Sequence, residues 1–348
     1  MIPIQNIYYM LSYAFRVLNE QGYKDIATEE FDNTAELMAA ILAKGISTQI
    51  KRGLGKEYIS RTEAMSSLRG KLDISESIKT QTMLKRQIIC IYDDFSVNSN
   101  MNRIIKSTVG LLLKSDISKR RKKELRKLMV FFTDVEFIDL YSVNWNIHYN
   151  KNNQTYRMLI SVCYLVVKGL LQTNSDGNTK LMDFFDEQRM YKLYEKFILE
   201  YYRKEYPELT VNASQISWQL DDGNNAMLPV MQTDIMLTYQ ERILIIDAKY
   251  YSRTTQTQFN ANTLHSGNLY QIFTYVKNKE AELVTKPHEV SGMLLYAKTD
   301  EEICPDNTYK MSGNKISIRT LDLNLKFEDI KKQLDFIVKE HFGLENRR

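Results

Sequence analysis

Cysteine and histidine are scarce in this chain, and their scarcity excludes several kinds of chemistry. Cys90, Cys163 and Cys304 are scattered through 348 residues without any Cys-x-x-Cys spacing. An odd, dispersed set supports neither a disulfide framework, nor a zinc site, nor an iron–sulfur cluster, and it points to reduced thiols in a cytoplasmic protein. The four histidines stand apart, which argues against a His-metal centre or a Ser-His-Asp triad. No Gly-x-x-x-x-Gly-Lys-Ser/Thr sequence occurs, so no phosphate-binding loop is available for a nucleotide of the chain's own. Apolar runs stay short of the roughly 18 residues a bilayer requires, and the N-terminus lacks the basic and apolar regions of a secretory signal, so no membrane is expected. Glycine and proline are few, and the 43% hydrophobic, 26% charged composition is that of a globular chain long enough for two cores. A net charge of +4 is too small to identify a nucleic-acid partner by itself.

Apolar spacing predicts amphipathic helices over Ile4–Leu18, Asn33–Ile50 (capped by Asn33 or Thr34), Asn100–Lys114 and Ser118–Phe132. Short strands and hairpin loops are expected between Lys56 and Phe95. The run from Ser118 to Lys127 carries seven basic residues against one acid. It reads equally as a phosphate-binding patch or as a solvated helix face. A polar stretch, His148–Gln154, is the best candidate boundary, giving domains over 1–152 and 153–348. Beyond it come a helix over Tyr156–Leu171, a polar loop over Thr173–Lys180 and a helix over Glu187–Lys204. Strands are expected over Gln215–Leu220, Met227–Tyr239 and Arg242–Tyr251, a helix over Gly267–Glu282, a strand over Ser291–Ala297, and a closing helix over Phe327–His341.

The chemistry concentrates in Asp234 and the triplet Asp247-Ala248-Lys249. Residues two apart on a strand project to one face, so Asp247 and Lys249 share a side. A hairpin turning near Tyr239–Arg242 can bring Asp234 across to it. An Asp-x-Lys triplet alone is uninformative, since Asp329-Ile330-Lys331 repeats it in the closing helix. The apolar run Ile243–Ile246 before Asp247 is what distinguishes the first, because a carboxylate ending a buried strand needs a compensating charge. A divalent cation shared by Asp234 and Asp247 supplies one, and hard cations such as Mg²⁺ favour one or two carboxylates. The alternative is a structural ion pair between Lys249 and either aspartate. Glu195 is a candidate further ligand or a surface glutamate. Gln271 and Tyr275, four apart on one helix face, either hold the lysine, a water or DNA, or are ordinary packing.

The order of these elements resembles the PD-(D/E)xK nuclease core. More narrowly, the blocks Ile4-Gln-Asn-Ile-Tyr-Tyr-Met-Leu-Ser-Tyr-Ala14, Asn102-Arg-Ile-Ile-Lys-Ser-Thr108, Thr233-Asp234, Asp247-Ala-Lys-Tyr-Tyr251 and His265-Ser-Gly-Asn-Leu-Tyr-Gln271 together resemble the McrC family. McrC is the nuclease subunit of the McrBC 5-methylcytosine-specific restriction system, and the resemblance runs almost end to end. It implies an α+β N-terminal domain followed by an α/β restriction-endonuclease-like domain with a mixed central sheet flanked by helices. It further implies Mg²⁺-dependent cleavage of methylated double-stranded DNA, with Mn²⁺ as a possible substitute. Its implied partner is an McrB-like AAA+ hexamer that uses GTP, docked and stimulated by the N-terminal part. By position Asp234, Asp247 and Lys249 match the catalytic triad, with Ala248 lending its carbonyl to the metal and Gln271 and Tyr275 in support. Glu195 matches the wider nuclease superfamily better than McrC. The loops over Lys56–Arg86 are the candidates for entering the ring. A non-catalytic DNA-binding regulator and a stand-alone repair nuclease are the competing readings.

Overall fold

A computed structural model describes residues 2–15, 18, 26, 29, 31, 33–150, 153, 155–176, 187–250, 255–258, 261–298 and 304–346. Met1–Glu29 with Phe185–Arg348 form one compact unit, and Glu30–Phe184 form the other. This division differs from the expected boundary after residue 152, and particular side chains explain the difference. Helix α1 (Ile4–Ala14) buries its tyrosine-rich face against the C-terminal part of the chain. Tyr9 stacks on Phe327 with ring centroids 4.3 Å apart, and Tyr13 Oη donates to Glu205 Oε1 at 2.6 Å. Asn6 Nδ2 donates to the carbonyls of Leu323 and Leu325, both at 2.8 Å. The N-terminal helix therefore belongs with the larger unit.

The smaller unit opens with α2 (Thr34–Arg52), whose N-cap Asn33 accepts a hydrogen bond from the Glu36 amide. Strands β1 (Glu57–Met65), β2 (Lys71–Asp73) and β3 (Ile88–Ser96) form an antiparallel sheet in the order β1-β3-β2. A short helix, α3 (Ile74–Lys79), and a 3₁₀ turn (Thr82–Lys85) fill the connection where only strands and loops were expected. Gly70 makes the close approach to β3 possible. At φ +66° a Cβ there would lie 2.4 Å from the Ile91 carbonyl, so no other residue fits.

Among the described residues of this unit there follow α4 (Asn100–Lys114), α5 (Lys119–Met129), which runs into a 3₁₀ turn (Val130–Phe132), and α6 (Tyr156–Asp176). Asn102, fully buried, is its polar hub. Its Nδ2 donates to the carbonyls of Gly55 at 2.9 Å and Val97 at 2.8 Å, while Oδ1 accepts from Tyr156 Oη at 2.7 Å. That tyrosine places α6 in the smaller unit, beyond the predicted boundary. Residues 151, 152 and 154 of the expected linker, and 177–180 of the expected loop, lie outside the described residues; 173–176 are helical. The basic run divides by direction. Ser118 caps α5, and Arg121 turns inward to lie 3.4 Å from Glu36 Oε1. Lys119, Arg120, Lys123, Arg126 and Lys127 remain exposed.

In the larger unit α7 (Glu187–Glu205) is followed by β4 (Thr210–Asn212), β5 (Gln215–Ile216), β6 (Met231–Gln232), β7 (Ile235–Tyr239) and β8 (Arg242–Lys249). After the ribbon of β9 (Thr255–Gln258) and β10 (Ala261–Leu264) come α8 (Ser266–Glu282), β11 (Glu289–Ala297), β12 (Asn307–Met311), β13 (Asn314–Leu321) and α9 (Phe327–Phe342). Six strands form a mixed sheet in the order β12-β13-β11-β8-β7-β4. The inner strands β8, β11 and β13 run parallel, whereas β7, β4 and β12 pair antiparallel. Two expected strands are shorter than predicted, because the polar, Gly- and Pro-containing stretch between Ile216 and Met231 forms no ladder. Tyr251, at the end of another, lies outside the described residues.

Helices α7, α8 and α9 all contact the sheet. Tyrosine-rich α7 meets α9 through Tyr201, which with Tyr206 just past the end of α7 donates to Asp335 Oδ1, both at 2.7 Å. Gly292 sets the depth of α8. A Cβ there would come within 2.8 Å of Ile272 and Val276, so the helix sits closer to β11 than any larger residue permits. Among the described residues no helix is long and apolar enough to cross a membrane.

Candidate active site

Strand β8 carries the site at its C-terminal end, where it lies between β7 and β11 with Ile243 to Lys249 all buried. Ile243 and Ile245 pack with Ile272, Tyr275 and Val276 of α8. Alternation then turns Asp247 and Lys249 toward the same helix. On the neighbouring strand Ile235 pairs with Ile246, so Asp234 stands one step past the ladder, opposite Asp247 and on its face. Asp234 Oδ2 accepts the Ala248 amide at 2.9 Å. Thr233 holds the approach to this corner: its amide and Oγ1 donate to the Ser214 carbonyl at 3.0 and 2.9 Å, and its Oγ1 accepts the Ser214 amide at 3.1 Å.

A chain of contacts leads from α8 to the lysine. Tyr275 Oη donates to the Gln232 carbonyl at 3.2 Å and accepts from Gln271 Nε2 at 3.0 Å. Gln271 Oε1 accepts from Lys249 Nζ at 3.2 Å. Lys249 Nζ in turn lies 2.9 Å from Asp247 Oδ2, with both side chains almost fully buried. That oxygen nevertheless accepts no hydrogen bond of good geometry. The short distance measures ionic attraction, and the poor angle leaves the carboxylate's hydrogen-bonding capacity unmet.

From α7, Glu195 reaches the same corner, hydrogen-bonded to Tyr191 and to Asp234. Burial, followed by the charge of Glu195, raises the Asp234 carboxyl to about 7. Burial also raises Asp247 to about 7, overcoming the opposing Lys249 ammonium. Glu195 is raised as well, chiefly by burial. Three carboxyls thus crowd one partly desolvated corner.

The consequence for stability has a definite sign. Both aspartates have folded-state values above the unfolded value of about 4. Their contribution is fully present below pH about 4 and is lost as pH rises through about 7. In metal-free buffer the thermal midpoint of the Asp247→Asn variant is therefore expected to fall less than the parent's between pH 5 and 8. Parallel melting curves across that range check it; identical slopes would contradict the crowding.

Among the described residues no three His, Cys, Asp or Glu side chains group so as to hold a metal by themselves. Two opposed carboxylates and an unsatisfied buried oxygen still suit a hard cation, whose remaining positions take water and phosphate oxygens. The donor set fits Mg²⁺ or Mn²⁺, with the Ala248 carbonyl a candidate donor at the same strand end. All the residues predicted for the site are brought together at this corner. Tyr191 and Thr233 were not assigned a role from sequence; the only available signals were a tyrosine one helical turn before Glu195 and a hydroxyl beside Asp234.

Comparison with known proteins extends the picture from the corner to the chain. The family described as McrBC 5-methylcytosine restriction system component matches residues 5–297. The Type IV methyl-directed restriction enzyme EcoKMcrBC of Escherichia coli (strain K12) is 28% identical over 346 residues, 98% of each chain. Among solved structures, a refined half-complex of Thermococcus gammatolerans McrB AAA+ hexamers with bound McrC aligns at 18% identity and TM-score 0.48, covering 96% of this chain and 76% of that one. The cryo-EM structure of the Thermococcus gammatolerans McrBC complex aligns at 20% identity and TM-score 0.39, covering 58% of each.

Proposed function

This chain belongs to the McrBC 5-methylcytosine restriction system component family, and on that premise we propose that it is the system's metal-dependent DNA endonuclease subunit, with a PD-(D/E)xK fold in its larger unit. The observation that carries the reading is the opposed pair of Asp234 and Asp247 with Lys249 beside them. Asp234, Asp247 and the Ala248 carbonyl would hold Mg²⁺ or Mn²⁺, and Glu195 would act on it through water. When bound, the cation supplies charge neutralisation at the scissile phosphate and a water of lowered pKa. Lys249 orients that water and stabilises the charge that develops on the phosphate oxygens. Gln271 and Tyr275 hold the ammonium in line from α8. The acidic pair favours this reading over a DNA-binding regulator without chemistry of its own, because binding alone does not require two buried carboxylates near a phosphate.

The chain lacks a nucleotide-binding loop, so the GTP-driven step falls to an AAA+ partner that senses the methylated base. The smaller unit would dock in that partner's ring through the loops over Lys56–Arg86. Leu68, Ile78, Met83 and Leu84 of this segment are exposed, and such apolar side chains are available to a partner surface. The three free cysteines support action in the reducing cytoplasm. With partner, GTP and methylated duplex present, we expect cleavage to require Mg²⁺ or Mn²⁺, to stop on chelation and to resume when either ion is restored. Cleavage that survives removal of every divalent ion would contradict the proposal.

A further inference from the structure

Tyr191 has no part in the assignment above, yet it touches two of its members. It lies on α7 one turn before Glu195, so the two side chains share a helix face. Its hydroxyl is hydrogen-bonded to Glu195. Its ring centroid lies 5.9 Å from Lys249 Nζ, within the reach over which a ring quadrupole attracts an ammonium. The lysine is thereby approached from three elements: Asp247 on its own strand, Gln271 from α8 and Tyr191 from α7. A four-carbon stem with a rotatable head needs such walls if its charge is to stay in one place. An aromatic face supplies one without acting as a strong acceptor that would draw the ammonium away from a phosphate.

We propose that Tyr191 is a positioning residue of the nuclease centre: its ring steadies the Lys249 ammonium while its hydroxyl steadies the Glu195 carboxylate. The inference rests on the nuclease reading of this site and assigns it a second residue from α7.

The test uses the full-length chain with its AAA+ partner, GTP, Mg²⁺ and a methylated duplex under single-turnover conditions. Tyr191→Leu removes ring and hydroxyl, and is expected to slow cleavage about 10- to 30-fold with the DNA concentration dependence unchanged. Tyr191→Phe keeps the ring and is expected to restore the rate to within about threefold of the parent. Direct Mn²⁺ binding, read by EPR without any cleavage, is expected to weaken several-fold in Tyr191→Phe because Glu195 has lost its donor. Parental cleavage by Tyr191→Leu, or equal impairment of the two variants, overturns the role of the ring. Should Tyr191→Leu fail to fold, the Phe variant decides: parental Mn²⁺ affinity there overturns the proposal. Asp247→Asn run alongside separates the two levels. Cleavage persisting in that variant removes the nuclease reading itself, whereas its loss beside a fully active Tyr191→Leu removes only Tyr191.

Discussion

Asp247→Asn is expected to lower cleavage of methylated DNA by on the order of 1000-fold or more, with stimulation of the partner's GTPase retained. The substitution keeps side-chain volume in a position only 2% exposed, so it leaves the packing of β8 intact. It removes one of two opposed carboxylates and the ionic partner of Lys249. Lys249→Ala is expected to lose cleavage too, but it is the less clean variant. It strands Asp247 and Asp234 in a desolvated corner, and breaking a buried pair costs about 3–5 kcal/mol through the uncompensated charge. A quantitative cleavage assay paired with a GTPase assay on the same preparation checks the result. Asp247→Asn cutting at a parental rate would remove the aspartate from the chemistry.

Fragments divided at different points are expected to behave very differently. A fragment of residues 30–184 coincides with a compact unit, and it is expected to melt cooperatively and to retain GTPase stimulation. A fragment of residues 1–152 has the boundary that the polar stretch at His148–Gln154 suggests. It lacks α6, so Asn102 loses Tyr156 and the apolar faces of α2 and α4 lose their cover. It also keeps α1 without Phe327, Glu205, Leu323 and Leu325. Several buried contacts vanish together, and since domains are stable by only about 5–15 kcal/mol this fragment is expected to unfold or aggregate at 37 °C. Circular dichroism melts of the two fragments decide the matter. A cooperative transition in 1–152 with none in 30–184 would reverse the assignment.

Local pattern made the site legible before any coordinates. The apolar run before Asp247, the spacing to Lys249 and the turn after Tyr239 give strand, face and register, all properties of a few neighbouring residues. Helices behave the same way: Asn33 caps α2, and α4 spans Asn100–Lys114 as its spacing predicts. What escaped is non-local. Nothing around Ile4–Ala14 shows that its tyrosines pack on a helix more than 300 residues away, and a polar linker suggests a boundary without saying which core recruits the helix after it. Glu195 and Tyr191 meet Asp234 across elements that are distant in sequence, so spacing cannot reveal the encounter. The short helix between β2 and β3 was missed because six residues carry too little periodicity to distinguish a helix from a loop.

Mn²⁺ titration of the full-length chain with methylated duplex present, read by EPR for the parent and for Asp234→Asn and Asp247→Asn, bears most directly on the paired carboxylates. The account predicts a bound ion in the parent that each substitution removes while the melting transition persists. Undiminished binding in both variants would contradict it.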